Sequence, residues 1–186
     1  RVLHIDVDAN RKYVPAWNAD QAKTKSESTV AATQVEAGFI SDLAVVRCCQ
    51  SSRCFIVDGT LKKHDWFRKY FKRIRHVARH NFRICILLVD TDLKKCQTRV
   101  EKRKETTGRP VQADYVVECN QAAKESAQIF RGDVELFVRI RNDDRPIFDN
   151  GDSDLDALKQ FVSQSDDRHE SEVFHVDGHD CGREVA

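Results

Sequence analysis

A chain of 186 residues with 40% hydrophobic content is long enough for one domain with its own core. Its 31 lysines and arginines against 30 acids leave a net charge of +1, so no global field draws it to nucleic acid or to an anionic membrane. No apolar stretch reads as the ~18 residues that a membrane span needs, and no signal-peptide pattern opens the sequence.

The first segment, 2–6 (VLHID), reads as a short buried strand, and from about 18 to 48 the pattern turns helical. There Ala32, Val35, Phe39, Leu43 and Val46 recur at steps of three and four, which predicts that they form the core face. Residues 54–57 (CFIV) form a second apolar run, closed by Asp58-Gly59-Thr60. A strong helical period follows: Trp66, Tyr70, Ile74 and Val77 share one face, with Phe67, Phe71 and Ala78 beside it. Residues 82–89 (FRICILLV) predict another buried strand, 93–104 a basic helix, and Thr106 to Pro110 a loop. A helix over about 112–130, a strand over 133–141, a turn at Asn142-Asp143-Asp144 and a hairpin arm at 146–148 complete the regular pattern. Strands alternating with helices predict an α/β fold: an open parallel sheet with helices on both faces. After residue 150 a short helix at 153–163 precedes a polar tail that we expect to be disordered. His175, His179 and Cys181 in that tail are read as incidental, not as a metal site.

The seven cysteines are odd in number and sit mostly in apolar segments, which predicts reduced thiols and an intracellular setting. With no CxxC pair, zinc is a poor reading. The absence of methionine and the start at Arg1 suggest a fragment of a longer polypeptide.

In open parallel sheets ligands bind beyond the carboxyl ends of the strands. Asp6 and Asp8 follow the first strand and Asp58 the second. One such carboxylate is suited to take a proton from a substrate hydroxyl, and another to hold Mg2+. Asp90 and Asp92, after the third strand, are expected to cap the next helix. Arg99, Lys102, Arg103, Lys104 and Arg109 surround a loop with the character of a cationic lid, in which Gly108 gives freedom and Arg99 and Arg103 share a helix face. Residues 62–83 carry nine lysines or arginines and one acid, Asp65, with interleaved aromatics. That composition allows nucleic-acid binding, but the aromatics follow the core period and are expected to be buried.

Five stretches in order, "HIDVDANRKYVPAW", "QVEAG", "FIVDGTL", "CQTRVEKRKETTGRPV" and "VRIRNDDRPIFDN", resemble the zeta-toxin family of P-loop kinases, over residue 3 to about 150. The resemblance implies an ATP-dependent kinase acting with Mg2+ on a hydroxyl-bearing small molecule. Bacterial toxin members act on UDP-N-acetylglucosamine, so a nucleotide sugar is one candidate. By position Asp8 resembles the general base, with Asp6 and Arg11 in the same motif on the substrate side. Asp58 and Thr60 resemble the acidic-Gly-Thr group lining the substrate and Mg2+ side, although the toxins have Glu where this chain has Asp58. Glu36 matches the acid of the helix before that strand. Arg109 resembles one phosphate-clamping arginine, and Arg103 or Arg99 the other. The sequence departs from the family in holding no Gly-Lys-Ser/Thr loop, the part that cradles phosphates. The strand carrying that loop would lie centrally, between those at 54–57 and 82–89. The rival reading is a catalytically dead relative with a structural or RNA- or phosphate-binding role.

Overall fold

The computed structural model describes residues 2–20, 25–78, 82–107 and 111–166. Arg109 and the tail beyond 166 lie outside the described residues. The first strand, β1 (Leu3–Asp6), breaks directly into a short helix α1 (Val7–Asn10), a 3-10 turn at Arg11–Tyr13 and helix α2 (Pro15–Ala19). Proline at the first position of α2 suits a helix start, since no N–H partner is needed there. Helix α3 (Glu27–Gln50) starts on Ser26, whose hydroxyl accepts the Thr29 amide at 3.0 Å.

Strand β2 (Phe55–Asp58) pairs in parallel with β1, Leu3 opposite Phe55 and Asp6 opposite Asp58. Both strands therefore end on an acid at the same level. One side of this pair carries Leu3, Ile5, Phe55 and Val57. They pack on Val45, Cys48 and Cys49 of α3 and on Tyr70, Ile74 and Ala78 at helix α4 (His64–Val77). Each large apolar side chain fully buried there contributes roughly 1.5–3 kcal/mol. The opposite side, with His4 and Ile56, is exposed.

The face of α3 that packs is not the one its apolar period predicted. Thr33, Ala37, Ser41 and Val45 are buried, while Val35, Phe39 and Leu43 are 79%, 62% and 53% exposed. The reason is what lies against the helix: Arg11 and Asn10 bring hydrogen-bond donors, which need Thr33 and Ser41 as partners, and small side chains allow close approach. By length and composition α3 would also pass for a membrane span, contrary to the sequence expectation, but its small and polar face docks it on the α/β layer.

Strand β3 (Cys85–Asp90) is followed by helix α5 (Leu93–Thr107), helix α6 (Ala113–Phe130), β4 (Leu136–Asn142), β5 (Pro146–Phe148) and helix α7 (Asp152–Asp166). Strands β3 and β4 are parallel, Cys85 opposite Leu136, and β5 returns antiparallel on β4 as a hairpin arm. Phe130 of α6 and Val138 of β4 are almost fully buried. Helix α7 packs on β4 and is docked by Arg83, which donates to the Phe161 carbonyl at 2.6 Å. The two halves meet through α4: Phe71 lies edge-on to Phe130 with centroids 5.1 Å apart, and Arg75 donates to the Asp133 carbonyl at 2.8 Å.

The fold is thus α/β, but the expected single open parallel sheet is replaced by two small ones, β1-β2 and β3-β4-β5, the second mixed. Among the described residues β2 and β3 do not pair. The break falls at the place where the resemblance puts an additional central strand. Helix α5 also runs through Thr107, so the loop expected from Thr106 begins later.

Candidate active site

The parallel register of β1 and β2 sets Asp6 beside Asp58, about 4.8 Å apart in the hydrogen-bonding direction. Asp6 turns the chain: its carboxylate accepts the Asp8 amide at 2.8 Å and so caps α1. That cap fixes where Asp8 stands, two residues beyond the strand end. The Asp8 side chain is 40% exposed and accepts from Arg11 Nε at 3.3 Å. Three carboxylates consequently share one sheet edge, and one of them is both anchored and open to solvent.

Arg11 does not face a ligand. It is 1% exposed, and its guanidinium donates to the Val30 carbonyl at 2.8 Å, to Thr33 Oγ1 at 2.6 Å and to Gln34 Oε1 as well as to Asp8. A planar fork with five donors is suited to bridge acceptors on α1 and α3 in this way. The substrate contact implied for Arg11 is therefore corrected: it ties the Asp8 segment to α3. Glu36 stands exposed on the flank of α3, one turn beyond Thr33.

Asp58 and Thr60 are exposed at the end of β2. In the loop that follows, Leu61 has φ 51, a left-handed conformation that costs free energy for a residue with a side chain. Lys62 holds that loop to α6, with Nζ 2.6 Å from Glu118 and over the Tyr115 ring. The hydrogen bond to Glu118 raises the Lys62 pKa, so the clamp is cationic. Sequence reasoning counted Lys62 only within the basic stretch 62–83, and missed His4, whose Nε2 lies 3.8 Å from Asp58. Strand alternation carries a signal for the second: His4 is two residues before Asp6 and so shares its face.

The cations on the other side of the break differ from expectation. Arg99 does not point from a lid. It donates to the Asn142 carbonyl at 2.7 Å and the Asp143 carbonyl at 2.6 Å, bolting α5 to the turn between β4 and β5. Arg103 lies exposed one turn further along α5. Arg109 is outside the described residues. Asp92 does cap α5, accepting the Lys94 amide at 3.0 Å. Asp90 does not: it is 8% exposed and ion-paired to Arg139 and, at 2.9 Å, to Lys124. Burial pushes the Asp90 pKa up, but the hydrogen bonds from Arg139 and Lys124 outweigh it and hold the carboxyl below its ordinary value.

The zeta-toxin family model matches residues 1–155, from β1 into α7. The chain belongs to the zeta-toxin family. No curated protein and no solved structure matches it. Zeta toxins are P-loop kinase-like proteins, so membership brings an α/β kinase-like fold and an ATP-dependent activity at the family level. The match spans both small sheets, so the zeta-toxin unit includes the strands on either side of the break.

Proposed function

We propose that this zeta-toxin edge transfers a phosphoryl group from ATP to a substrate hydroxyl, with Asp8 as general base. The observation that carries the reading is the placement of Asp8: two residues past β1 in the first turn of α1, capped by Asp6, which itself stands opposite Asp58, and tied by a buried arginine. A base needs a fixed carboxylate with a solvent-facing lone pair, and phosphoryl transfer depends mainly on positioning and charge stabilisation. Asp8 would accept the hydroxyl proton as the oxygen attacks. Asp6 orients it by capping, and Arg11 holds the segment from behind. Glu36 and Thr60 would line the substrate side.

The residues present fit Mg2+, which takes one or two carboxylates together with substrate phosphates instead of an all-protein cage. Asp58 would be that ligand, and the ion would neutralise charge on the transferred group. Among the described residues no group of three or more His, Cys, Asp and Glu side chains forms such a cage. The triphosphate itself lacks its cradle, because no Gly-Lys-Ser/Thr loop occurs in the 186 residues. The break between β2 and β3 supports an additional strand there, whose following loop would serve the phosphates. Arg103 and Arg109 would then close over them. The substrate would be a small hydroxyl compound, a nucleotide sugar among the candidates.

The test is γ-phosphoryl transfer from labelled ATP to a panel of sugars and nucleotide sugars by the full-length natural polypeptide. Label on a hydroxyl, lost in the Asp8→Ala variant, is expected. Binding of ATP without any transfer across the panel, or no ATP binding at all, would favour the catalytically dead relative.

A further inference from the structure

Helix α4 packs on the core with one side only, which leaves an outer face that the kinase reading does not use. Tyr70 and Ile74 are buried, and Phe67 and Phe71 are half-buried beside them. The opposite face exposes Arg68, Lys69, Lys72 and His76, while Arg73, beside Asp42 at the seam with α3, and Arg75 are exposed on its flanks. Arg75 is occupied by Asp133 and Glu135. Arg68, Lys69 and Lys72 have no ion pair among the described residues, so three like charges sit within about 6 Å of helix rise. Packing of the helix uses its apolar side and Arg75, and none of Arg68, Lys69 or Lys72. Asp65, exposed at the start of the same face and 3.4 Å from His64, is the one acid of the helix beside them, so the row keeps a net positive charge whose repulsion a bound polyanion would relieve.

A second observation narrows the partner. The aromatics of α4 were expected to be buried, yet Trp66 is 47% exposed. It stacks on Tyr70, with centroids 4.6 Å apart and planes at 21°, and so is held rigid on one side while it remains accessible. Lys69, one turn beyond Trp66, joins the cationic row to this fixed, exposed aromatic, and a row of cations bordered by an aromatic is suited to track a phosphate backbone and stack a base. A single phosphate is too small to meet all three cations. A membrane surface would need the apolar side of α4, which is buried in the core.

We propose that the outer face of α4 binds single-stranded nucleic acid, with Arg68, Lys69 and Lys72 on the backbone and Trp66 beneath a base. RNA and DNA share this chemistry, and the assay separates them.

The experiment is fluorescence anisotropy of labelled 12-nucleotide single-stranded RNA and DNA, titrated with the chain at several salt concentrations and without ATP. Independence from nucleotide keeps the outcome separate from the kinase reading. Three neutralised phosphates predict a log–log salt slope of about −2. The triple variant Arg68→Gln, Lys69→Gln, Lys72→Gln changes exposed side chains only, and its thermal melt should match the wild type. It should bind at least ~30-fold more weakly with a slope near zero. Trp66→Leu should weaken binding ~10-fold, while leaving binding of an inorganic polyphosphate of similar length unchanged. Preference for RNA or for DNA would support the proposal and name the source. Absence of binding at low salt, unchanged affinity in the folded triple variant, or equal binding of polyphosphate and anionic vesicles insensitive to Trp66 would each overturn it.

Discussion

Arg11 and Asp90 show how a charge inside this protein takes its role from what surrounds it. Arg11 follows the acids in sequence, and its motif position suggested a ligand contact; its partners Thr33 and Gln34 come from another helix more than twenty residues on, so local pattern had no access to its burial. Removing it would take the donor from the Gln34 amide oxygen and leave the Val30 carbonyl with only Thr33 Oγ1, at 3.3 Å, as its side-chain donor. We expect Arg11→Ala to cost about 3 kcal/mol in urea unfolding, with Arg11→Lys recovering less than half, because one ammonium cannot span that fork. Asp90 carries a pH signature. Its folded pKa lies below the unfolded value of about 3.9, so its contribution is fully present above that value and is lost as pH falls through the folded value. Arg139 and Lys124 are 44% and 43% exposed, so the pair is partly screened. Asp90→Asn should therefore cost roughly 2 kcal/mol at pH 7, and the gap to the wild type should close below about pH 4. A gap independent of pH would count against the ion pair as its source.

At the scale of elements, periodicity found every strand and all the longer helices among the described residues, most ends within a few residues, but α3 begins at Glu27 and not near residue 18, where α2 ends instead. Choosing a face was harder. In α4 the polar and apolar sides are well separated, and the expected core residues Tyr70 and Ile74 are buried. In α3 apolar residues lie on more than one side, so the larger Val35, Phe39 and Leu43 suggested a core face that the small residues in fact provide. The contrast gives a paired measurement. Phe39→Gln should change unfolding free energy by no more than about 0.5 kcal/mol, whereas Ile74→Ala should cost about 2–4 kcal/mol. Comparable losses in the two variants would return the stripe of α3 to the core.

For the whole molecule the break between β2 and β3 decides the architecture. Hydrophobic pattern reports that strands exist, not which of them are neighbours; the order came from the family resemblance, and the separation of the two sheets agrees with it. Amides of β2 and β3 that point into the break have no strand partner there among the described residues. In the chain alone they should exchange hydrogen at least ~100-fold faster than those pairing β3 with β4, and uniform protection across β3 would contradict the break. The strand-end acids were legible: Asp6 and Asp58 end the paired strands opposite each other, and Asp8 follows two residues on. The lid was less so, since Arg99 is spent on backbone carbonyls of a turn more than forty residues away. The most direct test of the central claim is therefore on Asp8 itself, comparing phosphoryl transfer and ATP binding in the wild type and Asp8→Ala forms of the full-length polypeptide. Transfer falling at least ~100-fold, with ATP affinity within about twofold, is the result the account predicts. Comparable turnover in the variant would contradict it.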